Sequence, residues 1–397
     1  MRLLVLDTIH GGTELARVLR EKGHFVDTVD IYRGNSVVDA ETVLQREYDL
    51  VIAPVHLNPA HPLLGKLPAP VISHHQAVRW ILGNRCPSPM VEVTGSRGKT
   101  TTAYALAAIL EGQGILHTSA GTFRYPEKSL IGPGSITPAA IIPAAREALR
   151  IGGWLVAEVS LGFIGSGDLG ILTSSDDYLF AGGMRHALQE KIRSGQGMPH
   201  LLAAPGVSAP GYISGGEVAV VSGDTCSCRV QGDTRGFRNP LLELEYYRTP
   251  LMLAAAAGCL LGRDISRLAS FQAVPGRMSS SWEGRIFIVD NSNSGTTAEG
   301  ACAAAAYARG ICRDQPVSLV IGKEEGAVCE GFPDHEVEAA IREIAPDQVF
   351  LVGNSYDRVE APPGTVLHRC RTFDEGAGQA RSRVSKGSIV LAVKCWR

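Results

Sequence analysis

A chain of 397 residues is long enough for two or three domains, and its apolar fraction is that of a globular protein. Thirty-eight basic side chains stand against forty acidic ones, a formal net charge of −2 with no basic stripe, which argues against a nucleic-acid partner. The longest apolar run, Leu251 to Leu261, is too short and too rich in alanine to span a membrane, so no membrane partner is expected. The N-terminus enters a strand directly, with no charged-then-apolar leader, and the nine cysteines are scattered. The reading is a soluble cytoplasmic chain with reduced thiols.

Arg2 to Asp7 reads as a strand, Thr13 to Lys22 as a helix stopped by Gly23, and Phe25 to Asp30 and Asp49 to Ala53 as further strands. This β-α-β order predicts a small parallel sheet. His10-Gly11-Gly12 lies at the carboxyl end of the first strand, where open α/β sheets place ligands. It reads either as a substrate-binding loop or as a plain tight turn. A Pro- and His-rich segment, Pro54 to His75, holds His56, His61, His74 and His75. No spacing among them matches a metal-ligand pattern, and no cysteine or carboxylate cluster accompanies them. The better use is hydrogen bonding or charge pairing with an anionic substrate, together with Arg33, Arg79 or Arg85. Gly83 to Pro89 reads as a linker closing a substrate-binding domain, residues 1–88.

A central domain, residues 89–272, opens on Val93-Thr94-Gly95-Ser96-Arg97-Gly98-Lys99-Thr100-Thr101-Thr102. Met90 to Val93 reads as a strand, and the apolar run after the threonines as a helix. A strand, a Gly-containing loop and a helix start together aim backbone N–H groups and a positive dipole end at an anion. The reading is a nucleotide-phosphate loop over Gly95 to Thr101, with Lys99 on the outer phosphates and the Thr100 hydroxyl on Mg²⁺. Thr118 to Pro138 is polar and Gly/Pro-rich and reads as loops at the site's rim; Ala139 to Arg150 reads as a helix. Trp154 to Ser160 is a buried-type strand ending in Glu158, a carboxylate suited to a phosphate-bound Mg²⁺. Leu169 to Thr173 is another strand, followed by Ser174-Ser175-Asp176-Asp177. His186 to Ile192 reads as a helix, on which Lys191 reads as a solvated lysine. Glu217 to Ser222 reads as a strand and Asn239 to Leu261 as a helix. From residue 273 onward, strands at Arg285–Asp290, Val317–Ile321, Val349–Val352 and Ser388–Val393 alternate with helices at Gly295–Arg309 and Asp334–Ile344. That order predicts a Rossmann-like domain over residues 273–397.

The compact form T-G-x-x-G-K-T-T resembles the ATP loop of the Mur ligase family, three-domain enzymes that activate a carboxylate as an acyl phosphate. The resemblance implies an α/β fold: a Rossmann-like N-terminal domain, a central P-loop ATPase domain and a Rossmann-like C-terminal domain. It implies ATP and Mg²⁺ as cofactors, and catalytic roles for Lys99 and Glu158. Lys191 matches a lysine that is often carbamylated in the family, which implies a catalytic role beside the solvated reading. Asn239 matches an asparagine that faces the adenine, and Gly276-Arg277 with Asp290 match a nucleotide-facing part of the third domain. Two departures stand out. No histidine follows Asp176-Asp177, where the family places one on a second metal. Ser292-Asn293-Ser294 replaces the family's Tyr-Ala-His, on the surface that closes the domains. The Ile-His-Gly-Gly opening, the compact loop and the Gly-Arg…Asp-Asn-Ser segment resemble a branch of the family that activates a propionate of a nickel tetrapyrrole and closes a carbocyclic ring. That resemblance implies a small-molecule substrate with several carboxylates, suited to His10, Gly11, Gly12, Arg33, His74, His75, Arg79 and Arg124. An amide ligase joining an amine to a carboxylate is the alternative. A GTPase switch lacks support, because no Asn-Lys-x-Asp base-reading motif is present.

Overall fold

The computed structural model describes residues 1–31, 40–230, 233–324 and 332–395; Arg33 lies outside them. The chain divides into two compact units, Met1–Phe271 and Gln272–Arg397. Among the described residues no helix is long and apolar enough to cross a membrane. The eight described cysteines are all free thiols.

The first unit starts with a four-stranded sheet in the order Phe25–Val29, Arg2–Leu6, Leu50–Ala53, Val71–Ser73, all parallel. Alternation along Arg2–Leu6 sends Leu3 and Val5 to one face and Leu4 and Leu6 to the other, and both faces are covered. Leu3 and Val5 pack with Leu15 and Leu19 of helix Gly12–Glu21 and with Val78 and Ile81 of helix His74–Leu82. The same cluster continues without a break into Met90, Ile115, Ile141, Ala145 and Leu155, which belong to the next sheet and its helix Ile141–Arg150. The Pro- and His-rich segment carries more order than its sequence suggests. It contributes Val71–Ser73 and the first turn of His74–Leu82, where Ser73 and Gln76 form a reciprocal capping box.

The second sheet has eight strands in the order Tyr212–Ser214, His200–Ala203, Leu169–Leu172, Met90–Thr94, Trp154–Glu158, Gly114–Thr118, Gly121–Tyr125, Ser129–Gly132. The first six run parallel and the last two fold back antiparallel. The latter lie in the stretch expected to be loops. Thr122, Phe123 and Tyr125 are good strand residues, and Phe123 and Tyr125 pack at a tilt against Tyr104 and Trp154, at 6.0 and 5.3 Å between centroids. Glu92, in the middle of Met90–Thr94, is fully buried and accepts backbone N–H bonds from Ile164, Gly165, Ser166 and Gly167 at 2.6, 3.1, 2.8 and 2.8 Å. Burial pushes its pKa up, against the pull of those four donors.

A three-stranded antiparallel sheet, Ala219–Ser222, Thr225–Val230 and Asp233–Arg238, follows. Glu217, expected in a strand, sits in the short helix Gly215–Val218. The helix expected from Asn239 is split into a 3₁₀ turn, Pro240–Glu243, and the helix Glu245–Leu260, which keeps Pro250 inside it and buries its alanine-rich face.

The second unit is a six-stranded sheet in the order Ser279–Glu283, Ile286–Asp290, Gly387–Lys394, Val317–Lys323, Gln348–Val352, Val366–Cys370, parallel except for the first hairpin. All eight residues of Gly387–Lys394 are buried, as expected of a central parallel strand. Helices Ala298–Ile311, Asp334–Ile344 and Phe373–Arg383 accompany it. Ser279–Glu283, Val366–Cys370 and Phe373–Arg383 carry weak sequence signals. The two strands lie at the sheet's edges, and the helix contains Gly376, where a Cβ would come within 2.8 Å of Val352.

Three buried histidines of the first unit act as internal hydrogen-bonding groups. His74 Nε2 and His75 Nε2 donate to the carbonyls of Leu6 and Ser160 at 3.0 and 2.8 Å, and His117 Nδ1 pairs with the Thr122 hydroxyl at 2.8 Å. Burial lowers the pKa of each from 6.5 to about 4. Below pH 6.5 the unfolded chain takes up protons that the folded chain does not, so this stability is complete above pH 6.5 and falls towards pH 4. The expected loss is about 1.4 kcal/mol per pH unit for each histidine across that window. Urea midpoints measured at several pH values check this, and a midpoint flat between pH 6.5 and 4.5 would contradict it.

Candidate active site

Gly95 and Gly98 give the phosphate loop its shape. Gly95 has φ 150° and lies so close to the neighbouring strand end that any side chain would collide with Thr173 Oγ1. Gly98, at φ 80°, is the left-handed residue that starts helix Lys99–Ile109. No acidic side chain occupies that helix's first turn, so the positive end of its dipole is left for an external anion. The loop is braced from Leu169–Leu172. The Thr173 hydroxyl donates to the Thr94 and Arg97 carbonyls at 3.1 and 2.6 Å, and Ser174 Oγ accepts from Ser96 N–H at 3.0 Å.

Strand order brings the end of Trp154–Glu158 beside this loop, because that strand pairs directly with Met90–Thr94. Glu158 is 2% exposed and Thr100 4%. Glu158 Oε2 accepts from the Thr100 hydroxyl at 2.8 Å and from Ser119 N–H at 3.1 Å, while Lys99 Nζ stands 3.8 Å from Oε1. The Thr100 and Ser119 hydroxyls are 3.3 Å apart. Hydroxyl and carboxylate oxygens are hard donors, and this set suits Mg²⁺ rather than a thiophilic metal.

Lys191 is not a solvated helix lysine. It is 1% exposed, donates from Nζ to Ser96 Oγ at 3.0 Å and lies 5.1 Å from the Tyr178 ring centroid. Helix Ala187–Ser194 therefore delivers a second ammonium to the phosphate loop. Arg97 Nε pairs with Asp176 Oδ2 at 3.0 Å. Asp177 accepts Leu188 N–H at 2.9 Å and meets His186 Nδ1 at 2.7 Å. Those contacts, the Leu188 N–H first, hold its carboxyl below the usual range. No histidine directly follows Asp176-Asp177; the imidazole beside Asp177 is that of His186.

Other expected site residues make contacts of their own. Asn239 uses its side-chain amide on the Leu268 and Phe271 carbonyls at 2.7 and 2.9 Å, and its oxygen caps Leu241 N–H at 2.9 Å. Arg124 pairs with Glu147, which also binds Arg150. Arg277 and Asp290 belong to the second unit. There Arg277 Nη1 donates to Asn293 Oδ1 at 2.6 Å, and Asp290 Oδ1 accepts from Ser292 N–H at 2.9 Å. The Ser292-Asn293-Ser294 segment is thereby tied to Gly276-Arg277, also through Asn293 Nδ2 and the Gly276 carbonyl at 2.7 Å.

His10 Nδ1 lies 2.7 Å from Asp7 Oδ2. Burial alone would raise the Asp7 pKa, but His10 and the nearby His56 outweigh it and hold the carboxyl below its usual range. Gly11 packs against Ala139 and Thr137, where a Cβ would come within 2.9 Å, and Gly12 sits over the Asp7 carbonyl. His75 and Arg79, one turn apart on His74–Leu82, line a cavity of about 680 Å³ inside the first unit. Its walls include Val55, Leu64, Ile72 and Phe163, and Arg185 and Arg193 join Arg79 in it against a single carboxylate, Glu190. Arg185 and Arg193 gave no motif in the sequence; the fold alone brings them to Arg79.

Comparison with known proteins bears on the family and the fold. The family described as Coenzyme F430 synthetase CfbE, C-terminal domain, matches residues 280–395. Coenzyme F(430) synthetase of Methanosarcina acetivorans is 30% identical, with 100% of this chain and 99% of that protein covered. Among solved structures, a pseudomurein peptide ligase type C from Methanothermus fervidus aligns with a TM-score of 0.52 at 15% identity, over 99% of this chain and 96% of its own. E. coli FolC in complex with DHPP and ADP aligns with a TM-score of 0.57 at 18% identity, over 81% and 90%. The chain belongs to the coenzyme F430 synthetase family, a group of ATP-dependent ligases built on the Mur-ligase fold.

Proposed function

We propose that this chain uses ATP to convert a carboxylate of a nickel tetrapyrrole acid into an acyl phosphate, and that a carbon of the same macrocycle then closes a ring to give coenzyme F430, ADP and phosphate. The observation that carries the reading is the packing of Lys99, Thr100, Glu158 and Lys191 around one glycine-shaped loop. Both reactants of the first step are anions, so the barrier falls through positioning and charge neutralisation. Lys99 and Lys191 supply positive charge to the transferring phosphoryl group. Thr100 and Glu158 would hold Mg²⁺, which neutralises and orients the nucleotide phosphates when bound. Gly95, Ser96, Arg97, Gly98 and Thr101 provide the backbone cradle, and Arg277, Asp290 and Asn239 are proposed nucleotide contacts.

The carboxylate oxygen attacks the γ-phosphorus and ADP leaves. The ring carbon then attacks the acyl carbon, the C–O bond to phosphate breaks, and the carbon gives up its proton. A nucleophile already tethered beside the acyl phosphate needs orientation more than a strong base. The cavity lined by Arg79, Arg185 and Arg193 over apolar walls supports an apolar substrate carrying several carboxylates. His10, Gly11, Gly12, His75 and Arg124 are proposed to act at its margins, with His74 supporting them from the interior.

Mass spectrometry of the protein with ATP and the nickel tetrapyrrole acid tests the function. The expected product is one water lighter than the substrate, with ADP and phosphate formed one to one. ADP release that requires an added amine would replace ring closure by amide ligation. Arg79→Ala is expected to raise KM for the acid about tenfold, the value of one charge-assisted hydrogen bond, with kcat little changed. An unchanged KM would remove the cavity from the substrate path.

A further inference from the structure

We infer that Asp7, His10 and His56 form a binding site for one divalent transition-metal ion, separate from the Thr100–Glu158 pair. Asp7 closes the first strand and is fully buried. Its carboxylate is held in place by the N–H groups of Ile9 and His10 at 2.8 and 3.0 Å. Its Oδ2 faces two imidazole nitrogens, His10 Nδ1 at 2.7 Å and His56 Nε2 at 3.6 Å. The two rings meet edge to face, with centroids 4.7 Å apart and planes at 79°. One ligating atom from each of the three residues lies within 4.8 Å of the other two.

These spacings suit a metal site. A tetrahedral ion bound at about 2.0–2.1 Å sets its ligand atoms roughly 3.3 Å apart. The observed 2.7 and 3.6 Å separations bracket that edge, so small side-chain shifts accommodate an ion. Two imidazoles and one carboxylate favour Zn²⁺, Ni²⁺ or Co²⁺ over Mg²⁺ or Ca²⁺. The carboxylate is sealed, whereas the His10 and His56 side chains are 25% and 26% exposed, which leaves the outer side of the site open to water or a fourth ligand. Backbone N–H bonds to Asp7 supply the outer support that metal ligands commonly have. The pattern escapes a spacing search because His56 follows the neighbouring strand, Leu50–Ala53, which pairs with Arg2–Leu6 in the sheet.

The test uses the full chain, stripped of metal with a chelator, dialysed, and titrated calorimetrically with ZnCl₂ and with NiCl₂ in the absence of nucleotide. The expected result is one saturable equivalent in the native protein, accompanied by a rise in Tm. His56→Ala and His10→Ala should each weaken binding at least tenfold and abolish the Tm rise. His56→Gln, which keeps a polar group in place, should fold normally and also lose the metal. Failure of the native protein to bind, or equal affinity in a folded His56→Gln, overturns the inference. An Asp–His pair serving only the fold gives the first outcome, and a metal bound elsewhere gives the second. Because the readout is binding and not turnover, the result is independent of the ligase reading.

Discussion

Replacing Lys99 with alanine is expected to lower ATP turnover by about 10³-fold, the scale seen when a preorganised charge on a transition state is removed. The fold should survive. Glu158 would keep its bonds from the Thr100 hydroxyl and Ser119 N–H, and Lys99 Nζ stands 3.8 Å from that carboxylate and 3.5 Å from the Ser96 carbonyl. Steady-state ADP release, with circular dichroism and Tm as controls, decides the matter. Turnover within tenfold of the native rate in a folded variant would defeat the proposal that this loop works on a triphosphate.

The largest stability effect is expected at Glu92. Alanine there strands four backbone N–H groups in the interior, and each buried donor left unpaired costs roughly 1–3 kcal/mol. Some relaxation of Ile164 to Gly167 will recover part of this, so a loss of about 4 kcal/mol is expected, which places it among the severe single substitutions. At about 2–4 °C per kcal/mol for a unit of this size, Tm should fall by roughly 10 °C. Glu92→Gln keeps an acceptor oxygen for part of the segment and should lose less. Urea or thermal unfolding of both variants checks the ordering; losses below about 1 kcal/mol in both would mean the carboxylate is not what holds the segment.

The sequence was legible where local chemistry and tertiary demand coincide. Met90–Thr94, Gly95, Gly98 and Lys99–Ile109 announce themselves because turn, strand and helix signals agree within a few residues. Trp154–Glu158 and Gly387–Lys394 are legible for a related reason, as continuous apolar runs of buried parallel strands. The hairpin Gly121–Tyr125 and Ser129–Gly132 was not, since its edge position allows polar residues and its glycines suggest loops. Glu92 was invisible because a carboxylate in an apolar strand has meaning only once Ile164 to Gly167 arrive from far along the chain. Lys191 looks like any helix lysine until Ser96 and Tyr178 cover it. The Asp7–His10–His56 and Arg79–Arg185–Arg193 groupings depend in the same way on which strands and helices the topology sets side by side.

The apolar cluster that runs unbroken from Leu3 and Leu19 through Val78 to Ile141 and Leu155 limits modularity. Cutting the polypeptide after residue 88 would strip cover from both halves at once, so neither fragment should be soluble by itself. Grafting the first 88 residues from a homologue with another specificity would meet the same obstacle unless the facing side chains travelled with them. Changes of ligand preference are therefore better sought by point substitution within the existing walls than by exchange of whole lobes.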